Sequence, residues 1–220
     1  MILNVQNLSV TFRSKGGVVQ PLKNICFSLD SGEILGLAGE SGSGKSTIAN
    51  ALVGLVPWDP GGSYELFGEK VNPYKKKSFA FVRRKVQMAF QDPYSSLNPR
   101  NTIFEIVATP LLANGISGAN AAEKTKKMLD LVGLASADLN KFPHAFSGGQ
   151  RQRIGLARAL VLEPKILICD EITSALDVSV QAQILHLLND LRKELNLSMI
   201  FISHDVAVME IIADKILRLK

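Results

Sequence analysis

Eight consecutive residues, Gly39-Glu40-Ser41-Gly42-Ser43-Gly44-Lys45-Ser46, follow the spacing G-x-x-x-x-G-K-S. Glycines at these positions let successive backbone N–H groups turn inward and form a nest for an anion. A helix that follows directly adds the partial positive charge of its N-terminus. Lys45 supplies a compact full charge for the β- and γ-phosphates of a nucleotide, and the Ser46 hydroxyl is placed to ligate Mg²⁺. The flanks are those the chemistry requires: a buried strand-like run over 33–39, then helical apolar spacing over 47–56 that stops at Pro57. A merely flexible Gly/Ser loop would explain neither flank.

Three later segments carry further chemistry. Lys165-Ile166-Leu167-Ile168-Cys169 is an apolar run that ends in the pair Asp170-Glu171. In a parallel sheet such a strand is buried on both faces, and its acids emerge at the C-terminal end, where ligands bind. Asp170 is then placed to hold Mg²⁺ through water, and Glu171 to polarise an attacking water as general base. Ser147-Gly148-Gly149-Gln150 opens an arginine-rich helix with Arg151, Arg153 and Arg158. Its S-x-x-Q spacing is a capping box, and its two glycines leave N–H groups exposed as a second anion site. Capping alone does not need both glycines, since Gly inside a helix costs about 1 kcal/mol. His204 follows the buried run 198–203 and is placed to donate a hydrogen bond to a γ-phosphate.

These residues need a scaffold, and the chain has the length for one. Its 220 residues bury a sizeable core without disulfide or metal staples, and an apolar fraction of 46% with 20% charged residues excludes a disordered chain. No apolar run approaches a membrane span, and no signal peptide is visible at the N-terminus. The two cysteines, Cys26 and Cys169, sit in apolar strand-like runs and read as small buried hydrophobes of a cytosolic, reducing compartment. The net charge of +5 suits nucleic acid, an anionic membrane surface or a phosphate-bearing ligand without choosing among them.

Strand patterns over 3–12 and 23–29 form an antiparallel pair, with further strands over 33–39, 64–71 and 86–90. From 102 to 163 the pattern is helical, over 103–112, 121–132 and 149–162. Strand–helix alternation then resumes, with strands over 165–169, 198–202 and 215–219 and helices over 178–195 and 206–212. The expectation is an α/β fold with a mostly parallel sheet, an N-terminal antiparallel β subdomain and an inserted helical subdomain. The boundaries expected are a nucleotide-binding core over 1–100 and 164–220, with the helical subdomain over 101–163, all in one domain.

Taken together, the loop 39–47, Gln91 after the strand 86–90, Phe146-Ser147-Gly148-Gly149-Gln150, Asp170-Glu171, Ser174-Ala175-Leu176-Asp177 and His204 resemble an ATP-binding-cassette (ABC) ATPase of the P-loop NTPase class, in family order and over essentially the whole chain. The runs Gln91-Asp92-Pro93-Tyr94-Ser95-Ser96-Leu97-Asn98-Pro99-Arg100 and Ser174-Ala175-Leu176-Asp177-Val178-Ser179-Val180-Gln181 resemble one branch, the ATPase subunits of bacterial dipeptide, oligopeptide and nickel or metal-chelate importers.

The resemblance implies ATP and Mg²⁺ as cofactors, held by Gly39, Ser41, Gly42, Ser43, Gly44, Lys45, Ser46 and Thr47. It implies a head-to-tail pair of such subunits, identical or paralogous, with two ATP molecules between them. Ser147, Gly149 and Gln150 would close over the ATP held by the partner, and Asp177 would sit at the seam. Gln91 would touch the Mg²⁺ or lytic-water region and couple it to the helical insertion, which receives a segment of an integral membrane permease. His204 would hold the γ-phosphate and the attacking water, and Phe12 would stack on adenine. The implied location is the cytoplasmic face of the membrane, with an extracytoplasmic solute-binding protein as indirect partner.

Phe146 stands where the family more often has leucine, and Ile172 where it often has proline. The chain ends at Lys220 inside a strand-like run that the family continues into a hairpin and a C-terminal extension. Lys75-Lys76-Lys77 and Arg83-Arg84-Lys85 flank an apolar stretch and read as a solvated face. A soluble ABC ATPase acting on nucleic acid or ribosomes is the alternative. Such proteins usually carry a long coiled-coil insertion or two cassettes; this chain has neither, and no nucleic-acid partner is expected.

Overall fold

A computed structural model describes residues 1–14, 16–92 and 96–219, and all of Lys76 except its side chain. Pro93, Tyr94 and Ser95, part of the branch-like run after Gln91, lie outside the described residues, as does Lys220.

Two sheets carry the chain. The first is antiparallel, in the order β2-β1-β4-β5, from β1 (Leu3–Ser14), β2 (Gly17–Leu29), β4 (Ser63–Leu66) and β5 (Glu69–Lys70). The second is parallel, in the order β6-β7-β8-β3-β9, from β3 (Ile34–Ala38), β6 (Val86–Ala89), β7 (Ile166–Asp170), β8 (Ser198–Ile202) and β9 (Lys215–Arg218). Every residue of β3, β7 and β8 is buried. Along β7 and β8 the side chains alternate between two cores. Leu167, Cys169, Met199 and Phe201 join the helices on one face, and Ile166, Ile168, Ile200 and Ile202 join the antiparallel sheet and α1 (Lys45–Leu52) on the other. This period of two explains why the runs are uninterruptedly apolar: neither face meets water.

The helical segment holds α3 (Ile103–Ala113), α4 (Gly118–Leu131) and α5 (Gly148–Leu160). Thr102 and Glu105 form a capping box at the start of α3, which fixes where that helix begins. Val107, Leu111, Leu129, Ile154 and Leu160 are fully buried in the same cluster as Phe201. Truncating a side chain such as Leu160 to alanine would cost about 2–5 kcal/mol through the cavity left behind. Two further helices, α6 (Val178–Leu195) and α7 (Val206–Ile212), flank β8 in sequence.

Three local expectations need correction. Cys26 is exposed, whereas Cys169 is buried as expected. Phe27 and Leu29 take the inner face of β2, so the pleat turns Cys26 outward, where its Sγ accepts the Asn7 N–H at 3.2 Å. The expected strand over 64–71 is instead a hairpin of β4 and β5, turned by Phe67 and Gly68 with positive φ of 51° and 79°. Two consecutive positive φ angles are what a two-residue hairpin turn of the favoured hand needs. The segment between Lys75 and Val86, read only as charge around an apolar stretch, forms helix α2 (Lys76–Lys85). Phe79 and Val82 are buried, and Arg83, Arg84 and Lys85 crowd its last turn, where the helix dipole favours cations.

Candidate active site

The parallel registers bring four strand ends to one edge. Ala89 is paired with Cys169, Asp170 with Ile202, and Leu37 with Ile202. The residues just beyond β3, β6, β7 and β8 therefore emerge side by side at the C-terminal edge of the sheet, the usual place for a ligand in such folds. They are the loop at 39–44, Gln91, Glu171 and His204.

Gly44 precedes α1 with φ 95°, and a Cβ there would lie 2.6 Å from Leu22 Cδ2 and 2.8 Å from the Pro21 carbonyl. Only glycine fits both the angle and the gap, so the loop is pressed against β2 by this residue type. Because Gly44 offers no side chain, the first N–H groups of α1 have no side-chain cap. Lys45 is buried, and its ammonium donates to the carbonyls of Gly39 and Glu40 at 2.8 and 2.7 Å. Among the described residues this cation is held by carbonyls and not by a carboxylate. Among the described residues, the buried Ser43 Oγ has no hydrogen-bond partner. Free N–H groups, a buried cation and an unused hydroxyl together fit a polyphosphate.

Ser46 Oγ donates to Asp170 Oδ1 at 3.1 Å. Burial raises the Asp170 carboxyl above the usual carboxylate range, with the Ser46 hydrogen bond and Lys45 working the other way and Glu171 adding to the rise. A hydroxyl and a carboxylate oxygen, both hard donors, fit Mg²⁺.

Glu171 has φ 48°, an uncommon angle for a non-glycine residue and one that clusters at functional sites. Its N–H donates to the Ile202 carbonyl, and its own carbonyl accepts the Ser174 hydroxyl at 2.9 Å. So held, Glu171 Oε2 accepts Gln91 Nε2 at 3.2 Å and lies 3.5 Å from His204 Nδ1. Ser41, Gly42, Gly44, Lys45, Ser46, Thr47, Gln91 and Glu171 line one cleft of about 290 Å³. The arrangement can bind a triphosphate and present a carboxylate to a water at its outer end.

The remaining expected residues lie apart. Phe12, paired with Val19, is 45% exposed on the outer part of the β1–β2 hairpin. Ser147 and Gln150 complete a capping box on α5, with Ser147 N–H donating to Gln150 Oε1 at 3.0 Å and Gln150 N–H to Ser147 Oγ at 3.4 Å. The Ser147 hydroxyl proton and the Gln150 amide stay free to donate elsewhere. Asp177 caps α6 through the Val180 N–H at 2.9 Å; that bond, then one from the Ser179 hydroxyl, holds its carboxyl below the usual range. None of these residues lines the phosphate cleft.

Two contributors escaped sequence reasoning. Ser174 supports both Glu171 and Gln91, the latter at 3.4 Å. The half-buried Arg158 donates to the Ser96 carbonyl, tying α5 to the segment after Gln91. Ser174 opens the quoted run Ser174-Ala175-Leu176-Asp177, so its motif was visible; nothing local to Arg158 separates it from the other arginines of its helix.

The ABC transporter family pattern matches residues 22–174. The chain belongs to that family. This ABC cassette is 46% identical to the oligopeptide transport ATP-binding protein OppF of Haemophilus influenzae, over 99% of its own length and 68% of that protein. It is 45% identical to OppF of Escherichia coli, over the same shares. The chain thus spans about two thirds of the length of these relatives. Among solved structures, the cassette MJ0796 in a dimeric post-hydrolysis state bound to ADP and Pi matches with a TM-score of 0.86 at 30% identity, covering 100% of this chain and 94% of that one. The cassette cbiO1 of Clostridium perfringens, part of the transporter complex cbiONQ, matches with a TM-score of 0.87 at 27% identity, covering 100% of this chain and 84% of that one. The chain is an ABC ATPase cassette in fold and family. Among the described residues, no helix is long and apolar enough to cross a membrane.

Proposed function

We propose that the cassette binds ATP with Mg²⁺, hydrolyses it between two head-to-tail subunits, and drives a peptide importer. The observation that carries this reading is the convergence of Gln91 and His204 on one oxygen of Glu171 at the mouth of the phosphate cleft.

On this reading Lys45 and the N–H groups at the start of α1 hold the β- and γ-phosphates, and Phe12 stacks on the base. Ser46 and Asp170, with Gln91 beside them, would hold Mg²⁺, which would neutralise charge on the phosphates. Glu171 takes a proton from the attacking water while His204 and Gln91 fix that water and the γ-phosphate. Ser147, Gly149 and Gln150 close over the ATP of the partner subunit, with Asp177 at the seam. Their distance from this chain's own cleft supports a site completed by a second cassette, as do the dimeric relatives among solved structures.

A second cleft, of about 470 Å³, supports the permease contact. Leu55, Arg83, Arg84, Phe90, Pro110 and Leu162 line it between the sheet edge and α3. Its lining residue Phe90 directly precedes Gln91, so a permease segment seated there would feel the state of the nucleotide. The two OppF relatives favour peptides over nickel or metal chelates as cargo. The test is uptake of a labelled oligopeptide by cells whose only copy is wild type or Lys45→Ala. Uptake lost with Lys45→Ala supports the reading; equal uptake contradicts it, as would stable association of the cassette with RNA or ribosomes in place of membrane subunits.

A further inference from the structure

The glycine-rich turn of α5 and the cap of α6 touch within one chain. A Cβ built on Gly149 would lie 2.6 Å from Val180 Cγ1, closer than real Cβ atoms approach any neighbour, but 3.9 Å from Val180 Cβ, an ordinary contact. Val180 is half-buried and packs against the core that holds α5. Its backbone N–H is the donor that Asp177 caps at 2.9 Å. Asp177, Val180 and Gly149 therefore form one continuous chain of contacts from the cap of α6 to the first turn of α5. At its far end, the capping box fixes Ser147 and Gln150 relative to Gly149.

We infer that Val180 is a positioning residue: it seats the turn 147–150 against α6, so that Asp177 and the phosphate-facing turn shift as one body. This rests on the proposed role of that turn in trans. The glycine at 149 then has an intramolecular reason, because its Cβ position faces Val180. The valine methyl already occupies the volume a side chain would take, and a larger residue at 149 would push the turn off its seat. A displacement of about 1 Å in a positioning group is enough to cost ~10²-fold in rate, while neither Gly149 nor Val180 lines the chain's own Lys45 cleft.

The test is a double-mutant cycle on the full chain with Gly149→Ala, Val180→Ala and the pair. Three readouts are taken: affinity for a fluorescent ATP analogue, the rate of ATP hydrolysis, and hydrogen exchange at the Val180 amide. Analogue affinity of the Val180→Ala variant should stay within about twofold of wild type, since Lys45 and α1 are untouched and Val180 lies outside the nucleotide cleft. Gly149→Ala should lower the maximal rate by about tenfold or more and speed exchange at the Val180 amide. Adding Val180→Ala should restore both, because the two Cβ atoms then meet at 3.9 Å. A double variant as slow as, or slower than, Gly149→Ala alone, or with the amide of residue 180 still unprotected, overturns the inference. A wild-type chain that binds ATP but never hydrolyses it would contradict the proposed hydrolysis, and the exchange cycle alone would then decide the contact.

Discussion

Ser46 Oγ donates to Asp170 Oδ1 at 3.1 Å, joining the first turn of α1 to the end of β7 across 124 residues of sequence. Burial raises the Asp170 carboxyl, and a divalent ion held by the pair would favour its ionised form. Ser46→Ala should leave ATP affinity in EDTA unchanged and weaken affinity in Mg²⁺ by about 10- to 100-fold. Titration with a fluorescent nucleotide in both buffers checks this. An equal Mg²⁺ gain in variant and wild type would remove Ser46 from the metal site.

Lys45 is held in place before any nucleotide arrives, by the carbonyls of Gly39 and Glu40. Charge-assisted hydrogen bonds are worth about 1.5–3 kcal/mol each, so Lys45→Ala should weaken ATP binding by about 10- to 150-fold. Calorimetric titration measures it, with thermal unfolding as the check that the fold survives. Unchanged affinity would mean that the loop does not grip phosphate through this side chain.

Phe12 is 45% exposed, too open for its ring to be a core residue, and it stands on the hairpin against which Gly44 presses the phosphate loop. Base stacking on an aromatic contributes about 1–3 kcal/mol. Phe12→Ala should therefore weaken ATP by about 5- to 150-fold with little change in melting temperature. Competition by inorganic triphosphate, which has no base, should be unaffected. An equal loss for both ligands would place the effect in the loop and not in stacking.

The parts of the site legible in the sequence were those carried by contiguous residues. Loop 39–46, the Asp170-Glu171 pair and the capping box at Ser147 and Gln150 each read directly, because spacing of a few residues fixes their local geometry. The strands β7 and β8 were also plain, since burial on both faces makes them unbroken apolar runs. What sequence could not show was relative placement. That Gln91 and His204 meet the same oxygen of Glu171 depends on the register of β6, β7 and β8. That Gly149 leans on Val180 depends on packing between helices distant in sequence. Helix α2 was hidden because among its described side chains only Phe79 and Val82 are buried, too few for a period to stand out from its lysines and arginines. Cys26 misled because an apolar run in a one-faced antiparallel sheet does not say which side of the pleat a residue takes.

The claim on which the account turns is that Glu171 is the group that activates water. The measurement is ATP turnover by the purified chain with Mg²⁺, wild type beside Glu171→Gln, together with nucleotide affinity for both. General-base catalysis contributes about 10²- to 10⁴-fold, so the variant should bind ATP as tightly as wild type and turn it over at least about a hundredfold more slowly. Hydrolysis by Glu171→Gln at the wild-type rate would contradict the account.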